Sequence, residues 1–204
     1  SMLSQRLTGE FTTDRTMAGT SMMTNLANDD WDEAVLSQLG LSKEQFPTMK
    51  SAGEKIGVLC TALCCQLGLK AVPVISCGHD TQFAVFGSGA SLNQPVLSSG
   101  TWEILMARTQ QADLRFEFVS QGLTTEFDAQ ANTYNPAVQW VGSGIMEWIG
   151  KLLFADVVGT ERYYSTMIAE GEAQPAGAGG VSLQGVFNTD HQSGVGNIVG
   201  LSMH

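Results

Sequence analysis

The sequence predicts an α/β protein, and two observations support this fold class. Residues 55–81 contain, in order, an apolar helix-like segment, a glycine, a short apolar strand (71–76) and a polar turn, which are the parts of an α/β unit. Two more strand-like runs, 95–98 and 101–108, are joined by Ser99-Gly100 and predict a hairpin. Because α/β folds bind ligands in the turns that follow strands, residues 77–81 are the first candidate site.

Capping and breaking residues predict the elements before this unit. Residues 3–9 are typical of a helix end closed by Gly9, and the polar residues 12–25 are predicted to be irregular. Asp30, with Glu33 three residues later, predicts an N-cap and a helix that runs to Leu39. Two further helical segments are predicted, a short turn that Ser42 opens and a buried helix over 55–67 that ends at Gly68.

The C-terminal half is predicted to form a second domain. Gly87-Ser88-Gly89 breaks a helix over 81–86, so we place a boundary near residues 88–94, with domains at 1–90 and 91–204. The second domain adds to the hairpin a strand over 116–120, a long amphipathic helix over 136–155, a helix over 161–172, a loop over 173–180 and a strand over 181–187.

Composition narrows the class of protein. The 204 residues are 43% hydrophobic and can bury a core, while a net charge of −10 argues against nucleic-acid binding. There is no apolar run of about 18 residues and no basic-then-apolar start, so neither a membrane span nor a signal peptide is predicted. The cysteines, Cys60, Cys64, Cys65 and Cys77, form no C-x-x-C pair, which predicts free, buried thiols and a cytoplasmic protein.

Asp80 is the first candidate for chemistry. A carboxylate at a strand end, between His79 and Thr81, can accept a proton or hold Mg²⁺, and Gly78 lets the backbone approach closely. Spacing alone leaves open the alternative that Asp80 only caps the helix that follows.

Two glycine-containing segments are weaker candidates. In the turn from Ser98 to Trp102, the free N–H groups around Gly100 and the hydroxyl of Thr101 can cradle a phosphate, although most such turns are only turns. The run Gly142-Ser143-Gly144 lies inside the predicted helix over 136–155, where each glycine costs about 1 kcal/mol. Close approach of a nucleotide and close packing of a neighbouring element both explain these glycines.

Several other enzyme classes lack their motifs. His79-Asp80 is the pair used by metal-dependent hydrolases, but His191 and His204 do not have the spacing of further ligands. The sequence contains neither the G-x-S-x-G turn of α/β-hydrolases nor a P-loop. Cys64 and Cys65 have no histidine nearby in sequence, which argues against a nucleophilic role.

Three stretches in order resemble the FGGY family of carbohydrate kinases. Residues 7–14, followed by Ala18-Gly19-Thr20 and Trp31-Asp32, resemble the late part of the family's N-terminal domain. Val74 to Thr81 resembles the strand and turn that carry its catalytic aspartate, and Ser99 to Trp102 resembles its phosphate-contacting hairpin. The resemblance spans nearly the whole chain, and residues 74–102 are its specific part.

The resemblance implies an actin-like ATPase (ribonuclease H-like) fold of two domains that transfers the γ-phosphoryl group of ATP, with Mg²⁺, to a sugar hydroxyl. By position, Asp80 would be the general base, and His79 and Thr81 would line the sugar. Four residues would face the nucleotide: Gly100, Thr101, Ser143 and Gly144. The implied partners are a sugar and ATP, with no nucleic acid or membrane, and a homodimer is left open.

The chain also departs from the family pattern. The D-x-G-type phosphate loop and the Gly-rich adenosine motif are absent, so we expect a fold incomplete at both ends and an inactive chain. Residues 78–102 are most similar to family members that act on L-fuculose, while those that act on L-rhamnulose share the His-Asp-Thr turn. A non-catalytic binding or interaction domain that retains the fold is the alternative of another class.

Overall fold

The computed structural model describes residues 2–184 and 197–201. The first elements are α1 (Met2–Thr8), β1 (Thr12–Asp14), α2 (Arg15–Gly19), β2 (Thr24–Asn25), β3 (Asp30–Trp31), α3 (Glu33–Gln38), β4 (Thr48–Lys50), β5 (Lys55–Val58), α4 (Thr61–Leu67), β6 (Pro73–Ile75) and α5 (Asp80–Gly87). They are followed by β7 (Pro95–Ser99), β8 (Trp102–Ala107), α6 (Phe116–Val119), β9 (Thr124–Phe127), β10 (Tyr134–Val141), α7 (Ser143–Leu153), α8 (Tyr163–Glu172), β11 (Ser182–Gln184) and β12 (Asn197–Val199).

The chain divides into two compact units. The first contains Ser1–Val96 and Leu105–Val138, and the second contains Leu97–Ile104 and Gln139–His204. No helix among residues 2–184 and 197–201 is long and apolar enough to cross a membrane.

The strands of the described residues form several short sheets. β1 pairs in parallel with β4, while β5 and β6 pair antiparallel, with Lys55 opposite Ile75 and Val58 opposite Pro73. A four-stranded sheet has the order β7-β8-β10-β9, and Glu126 on β9 lies opposite Asn135 on β10. The register places polar side chains of β9 and β10 beside each other, which matters for the site described below.

The apolar core of the first unit lies around α2 and α3. Ala18, Trp31 and Leu36 are buried together, with three partly buried side chains packed against them: Met23, Phe46 and Met49. The rings of Trp31 and Phe46 lie 4.7 Å apart. This cluster fixes α2 against α3 and so supports β1, which ends at the candidate site.

In the second unit, α7 packs on α8. The hydroxyl of Tyr163, the first residue of α8, donates to the backbone oxygen of Met146 at 2.5 Å. Gly150 lies directly under the Tyr163 ring, where a Cβ would collide with it. The rings of Phe154 and Tyr163 meet edge to face at 6.3 Å, so one aromatic side chain closes this helix pair.

Several predicted boundaries are confirmed. Gly9 and Gly68 end α1 and α4 with positive φ angles of 85° and 65°, a conformation that glycine adopts without strain. Ser42 and Gln45 form a capping box around a short 3₁₀ turn. The hairpin of β7 and β8 and the helix over 161–172 are also present, the latter as α8.

Residues 12–25, predicted to be irregular, instead form β1, α2 and β2. Asp14 caps α2 through a hydrogen bond from the backbone N–H of Thr16. The predicted N-cap of the next helix is also wrong, because Asp32 rather than Asp30 accepts from the N–H of Val35 at the start of α3. Asp30 instead lies in β3 and forms an ion pair with Lys43.

The buried helix predicted over 55–67 is wrong. Its first part is strand β5 and its second part is the short helix α4, none of whose residues is buried. An apolar run without clear periodicity fits a strand as well as a helix. Residues 55–58 form a strand because they pair with β6. The four cysteines are free, as predicted, but not buried, because Cys65 and Cys77 are exposed.

Two predictions in the C-terminal half also need correction. Residues 116–120 form helix α6 instead of a strand, with the N–H of Ser120 bonded to the oxygen of Phe116. The helix predicted over 136–155 begins only at Ser143, because the residues before it pair with β9 as strand β10. The strand predicted over 181–187 is present as β11, and its residues 185–187 lie outside the described part.

Candidate functional site

The turn that carries the predicted site residues lies between β6 and α5 and is held by a buried aspartate. Asp14 Oδ1 accepts from both the backbone N–H (2.8 Å) and the hydroxyl (2.5 Å) of Thr16, and its Oδ2 accepts from the hydroxyl of Ser76. The Thr16 hydroxyl oxygen in turn accepts from the backbone N–H of His79 at 2.8 Å. Since Asp14, Thr16 and Ser76 are buried, these bonds are shielded from water and fix the turn to β1 and α2.

Gly78 allows this close approach. A Cβ at this position would lie against Asp14 Oδ1 and Thr16 Oγ1, at less than any normal contact distance. The glycine in the Gly-His-Asp sequence is therefore required by packing against the aspartate, and a side chain here would push the turn away from β1.

Asp80 begins α5 and points into solvent. Its side chain is 96% exposed, and Oδ1 accepts a hydrogen bond from the N–H of Thr81 at 2.8 Å. The N-cap position belongs to His79, whose side chain makes no capping bond. A carboxylate in the first turn is favoured by the helix dipole, and the exposed oxygens of Asp80 are accessible to an incoming hydroxyl.

His79 lies between two carboxylates. Its Nε2 is 3.5 Å from Asp80 Oδ1, and its Nδ1 is 3.5 Å from Glu126 Oε2. Glu126 lies on β9, so the turn at residues 77–81 and the four-stranded sheet meet at this imidazole. Thr81, the third predicted sugar-side residue, follows Asp80 on α5 and is partly exposed.

A buried polar network lies behind this histidine. Gln82 donates to Glu126 at 2.8 Å, and Asn135 donates both to Gln82 and to Asp128. The fully buried Asp128 carboxylate accepts two hydrogen bonds from Arg108, at 2.9 and 3.2 Å. A buried charge pair of this kind needs such additional hydrogen bonds to offset its desolvation.

Arg15 joins the same network from α2. Its buried guanidinium donates to the backbone oxygen of Asp128 at 3.0 Å and to Asp29 at 2.9 Å, and it lies 4.4 Å from the centre of the Phe127 ring. Sequence patterns alone did not identify the residues of this network, which include Arg15, Arg108, Glu126 and Asp128. The available signal was the alternation of Glu126, Phe127 and Asp128, a pattern typical of a strand, in which two carboxylates lie close together in the chain.

In the second unit, the structure brings the predicted nucleotide residues together. The N–H of Gly142 donates to the backbone oxygen of Thr101 at 3.0 Å, which places the hairpin tip beside the first turn of α7. Gly100, Thr101 and Gly144 are exposed and Ser143 is partly exposed, so their polar groups are accessible. The backbone N–H groups of a first helical turn have no partner within the helix and favour anions such as phosphate.

Close packing against Glu103 explains why position 142 is a glycine. A Cβ on Gly142 would lie 2.6 Å from Glu103 Oε1, and that oxygen also accepts from the hydroxyl of Ser99 at 2.8 Å. The other oxygen, Oε2, is enclosed without a partner. Close packing of a neighbouring strand therefore accounts for this glycine, while Gly144 contacts only its near neighbour Val141.

Other cavities and acidic groups do not extend the site. A cavity of about 1010 Å³ lies beside the loop over residues 109–115 and includes none of the predicted site residues. Its Arg115 is bonded to Asp113 and lowers the pKa of that carboxyl. Among residues 2–184 and 197–201, no group of three or more His, Cys, Asp or Glu side chains is arranged to hold a metal ion.

Comparison with known proteins assigns the family. Residues 1–87, which include Asp80, match the model for the FGGY family of carbohydrate kinases, N-terminal domain. An L-fuculokinase of Haemophilus influenzae is 70% identical over 204 residues, which are 100% of this chain and 43% of that protein. The chain belongs to the FGGY family of carbohydrate kinases. An L-fuculokinase of Escherichia coli K12 is 47% identical over 185 residues, covering 90% of this chain and 38% of that protein.

A solved sugar-kinase structure confirms the predicted fold. A xyloylose kinase from Brucella ovis superposes with a TM-score of 0.82 at 20% identity, covering 99% of this chain and 41% of that one. The fold is thus the actin-like ATPase fold that the resemblance implied. The chain spans about two fifths of the length of the curated relatives named here, so what the whole protein does is a matter of proposal.

Proposed function

We propose that the whole protein containing this chain transfers the γ-phosphoryl group of ATP to a hydroxyl of a ketose, and that the ketose is L-fuculose. The observation that carries this proposal is the exposed Asp80 carboxylate on a turn locked by Asp14 and Thr16. A base must be accessible and carried by a fixed backbone, and this turn provides both. The choice of sugar rests on the identity with the L-fuculokinases.

In the proposed reaction, Asp80 takes the proton of the sugar hydroxyl while the hydroxyl oxygen attacks the γ-phosphorus. The bond from that phosphorus to the β–γ bridging oxygen breaks, and ADP leaves with the electron pair. His79 and Thr81 line the sugar beside Asp80. Phosphoryl transfer needs mainly positioning and charge neutralisation, so one base and several donors suffice.

The nucleotide is proposed to bind at the second unit. The hairpin residues Gly100 and Thr101 face the phosphates, and Ser143 and Gly144 at the start of α7 lie near the nucleotide. Mg²⁺ bound with ATP would neutralise phosphate charge. It is commonly held by phosphates, waters and one or two carboxylates, so it needs no dedicated metal cage.

Three further features belong to the same proposal. We place the end of the N-terminal domain at residue 90 and assign residues 91–204 to the C-terminal domain, which is supported by the family match over 1–87. The free and exposed Cys65 and Cys77 are compatible with a cytoplasmic location. Light scattering of the whole protein tests whether it forms a homodimer.

Replacing Asp80 by Asn in the whole protein tests the base. We expect the rate of phosphorylation to fall by about 100-fold or more, because the amide cannot take up the proton, while ATP binding stays near the wild-type level. An ATP-coupled assay measures turnover and isothermal calorimetry measures ATP binding. Asp156→Asn, at an exposed aspartate in the second unit, is the matched control and should leave both unchanged.

A panel of ketoses that includes L-fuculose and L-rhamnulose tests the substrate. If kcat/KM is highest with L-fuculose, the proposal is supported. If kcat/KM is highest with L-rhamnulose, the protein is instead a kinase that acts on L-rhamnulose. A wild-type protein that binds a sugar or ATP but phosphorylates no member of the panel favours the non-catalytic binding domain. Undiminished turnover in Asp80→Asn excludes Asp80 as the base.

A further inference from the structure

Glu126 is the acidic side chain nearest to the enclosed nitrogen of His79. The Nδ1 atom of His79 is shielded from solvent and makes no hydrogen bond that meets the usual geometric limits, yet it faces Glu126 Oε2 at 3.5 Å. On the other side of the ring, Nε2 faces Asp80 Oδ1 at the same distance. The three side chains thus form a line, carboxylate–imidazole–carboxylate, that ends at the proposed base.

Glu126 is anchored, whereas Asp80 is not. Glu126 Oε2 accepts from Gln82 Nε2 at 2.8 Å, and Gln82 is bonded in turn to Asn135 of the buried network. The side chains of Glu126 and His79 are 28% and 27% exposed, against 96% for Asp80. Within the described residues, the polar groups found beside the Asp80 carboxylate are the N–H of its own neighbour Thr81 and the imidazole of His79.

We propose that Glu126 is a positioning residue that holds the His79 ring and, through it, aims the Asp80 carboxylate at the sugar hydroxyl. The proposal rests on the function proposed above. The imidazolium form of histidine carries an N–H on both ring nitrogens, so in that form His79 can donate to both carboxylates, and the anchored Glu126 then determines where Nε2 points. Positional errors near 1 Å at a reacting group can cost about 100-fold in rate, so this restraint has a measurable effect.

A direct contact between Glu126 and the sugar is the rival explanation, since the side chain is partly exposed. The two explanations predict changes in different kinetic constants. A lost sugar contact weakens ground-state binding and raises KM for the ketose whatever residue occupies position 79. A lost restraint lowers kcat, and only while His79 is present to transmit it.

The test is a double-mutant cycle in the whole protein with Glu126→Gln, His79→Asn and the double variant. Glu126→Gln keeps the shape and can still accept from Gln82, so we expect the fold to survive. We expect its kcat to fall by up to about 100-fold with KM for the ketose near wild type. In the His79→Asn background the same change should add nothing, because the residue through which Glu126 acts is gone.

Controls separate this proposal from loss of folding and from failure of the proposed function. Glu117→Gln, at an exposed glutamate on α6, should leave kcat and KM unchanged. Nitrogen-15 spectra of labelled histidine should show the His79 ring signals moving in Glu126→Gln but not in Glu117→Gln, which reads the contact independently of turnover. Circular dichroism checks that each variant is folded.

Three results overturn the proposal. One is a rise in KM with kcat unchanged, and another is an equal loss of rate from Glu126→Gln in the wild-type and His79→Asn backgrounds. The third is that the His79 signals in the nitrogen-15 spectra do not move in Glu126→Gln. This result excludes the contact even if the variant has no activity. If the wild-type protein phosphorylates no ketose, the proposed function fails first, and the role of Glu126 in aiming a base fails with it.

Discussion

At the scale of single residues, Gly78 is the position with the least room. Gly78→Ala should destabilise the first unit by about 1–3 kcal/mol, because its methyl group must displace Asp14 or Thr16 from their buried hydrogen bonds. Urea unfolding followed by circular dichroism measures the change in the free energy of unfolding. The displaced turn should also lower sugar phosphorylation in the whole protein.

Gly87→Ala is the matched control for that substitution. Gly87 is the last residue of α5, its φ is not positive, and a Cβ there would meet nothing within 4 Å. Since alanine favours helix over glycine by up to about 1 kcal/mol, this variant should be as stable as the wild type or more so. Equal stability of Gly78→Ala and the wild type would show that the turn is not locked as described.

The candidate base and its supporting residues differ in how far the sequence reveals them. Asp80, His79 and Gly78 are adjacent in the chain, so a short motif was enough to select them. Glu126 is distant from His79 in sequence, and Asp128 and Arg108 meet only after β8, β9 and β10 have paired. Contacts of this range depend on strand register, which a single sequence does not reveal.

At the scale of elements, the start of α3 depends on the charge of Asp32. The backbone N–H of Val35 and then the side-chain amide of Asn25 hold the pKa of Asp32 below its usual value of 3.8. A carboxyl whose pKa is lower in the folded than in the unfolded chain stabilises the fold above the unfolded value. That stabilisation is lost as the pH falls through the folded value.

Asp32→Asn tests this dependence. Asparagine is also a good N-cap but carries no charge to lose. The free energy of unfolding of the wild type should therefore exceed that of Asp32→Asn by less and less as the pH falls from neutral to below 3.8. Chemical unfolding at a series of pH values measures it. Asp32→Ala, which removes the cap at every pH, is the reference, and a constant difference between wild type and Asp32→Asn would contradict the expected role.

Element type was predictable where the local signals agreed. The ends of α1 and α4 carry glycines with positive φ, and α8 was found from its pattern alone. The predictions over 55–67 and 136–155 failed for one reason: in each, a strand and a helix follow one another within a segment predicted to be a single helix. Pairing of β5 with β6 and of β10 with β9 separates them, and tertiary pairing of this kind overrides local preference.

At the scale of the whole molecule, polar and apolar groups are distributed in an unusual way. The first unit buries charged side chains such as Arg15 and Asp128, while large apolar side chains remain exposed on β5, α4 and β6, among them Val58, Leu67 and Ile75. Only 15% of the residues are charged, which is low for a globular protein and favours buried or partner-covered surface. We infer that these side chains belong to an apolar face that another segment or partner covers.

The occupant we expect for this face is the remainder of the whole protein, since the chain spans 43% of the Haemophilus relative. The 204-residue chain alone should therefore increase the fluorescence of the dye ANS, and the whole protein should do so less per molecule. Leu67→Gln, at an exposed position on α4, should reduce dye binding by the isolated chain without changing its circular dichroism. Equal dye binding by the chain and by the whole protein would show that the face stays open in both. In that case it would be free to bind a different partner.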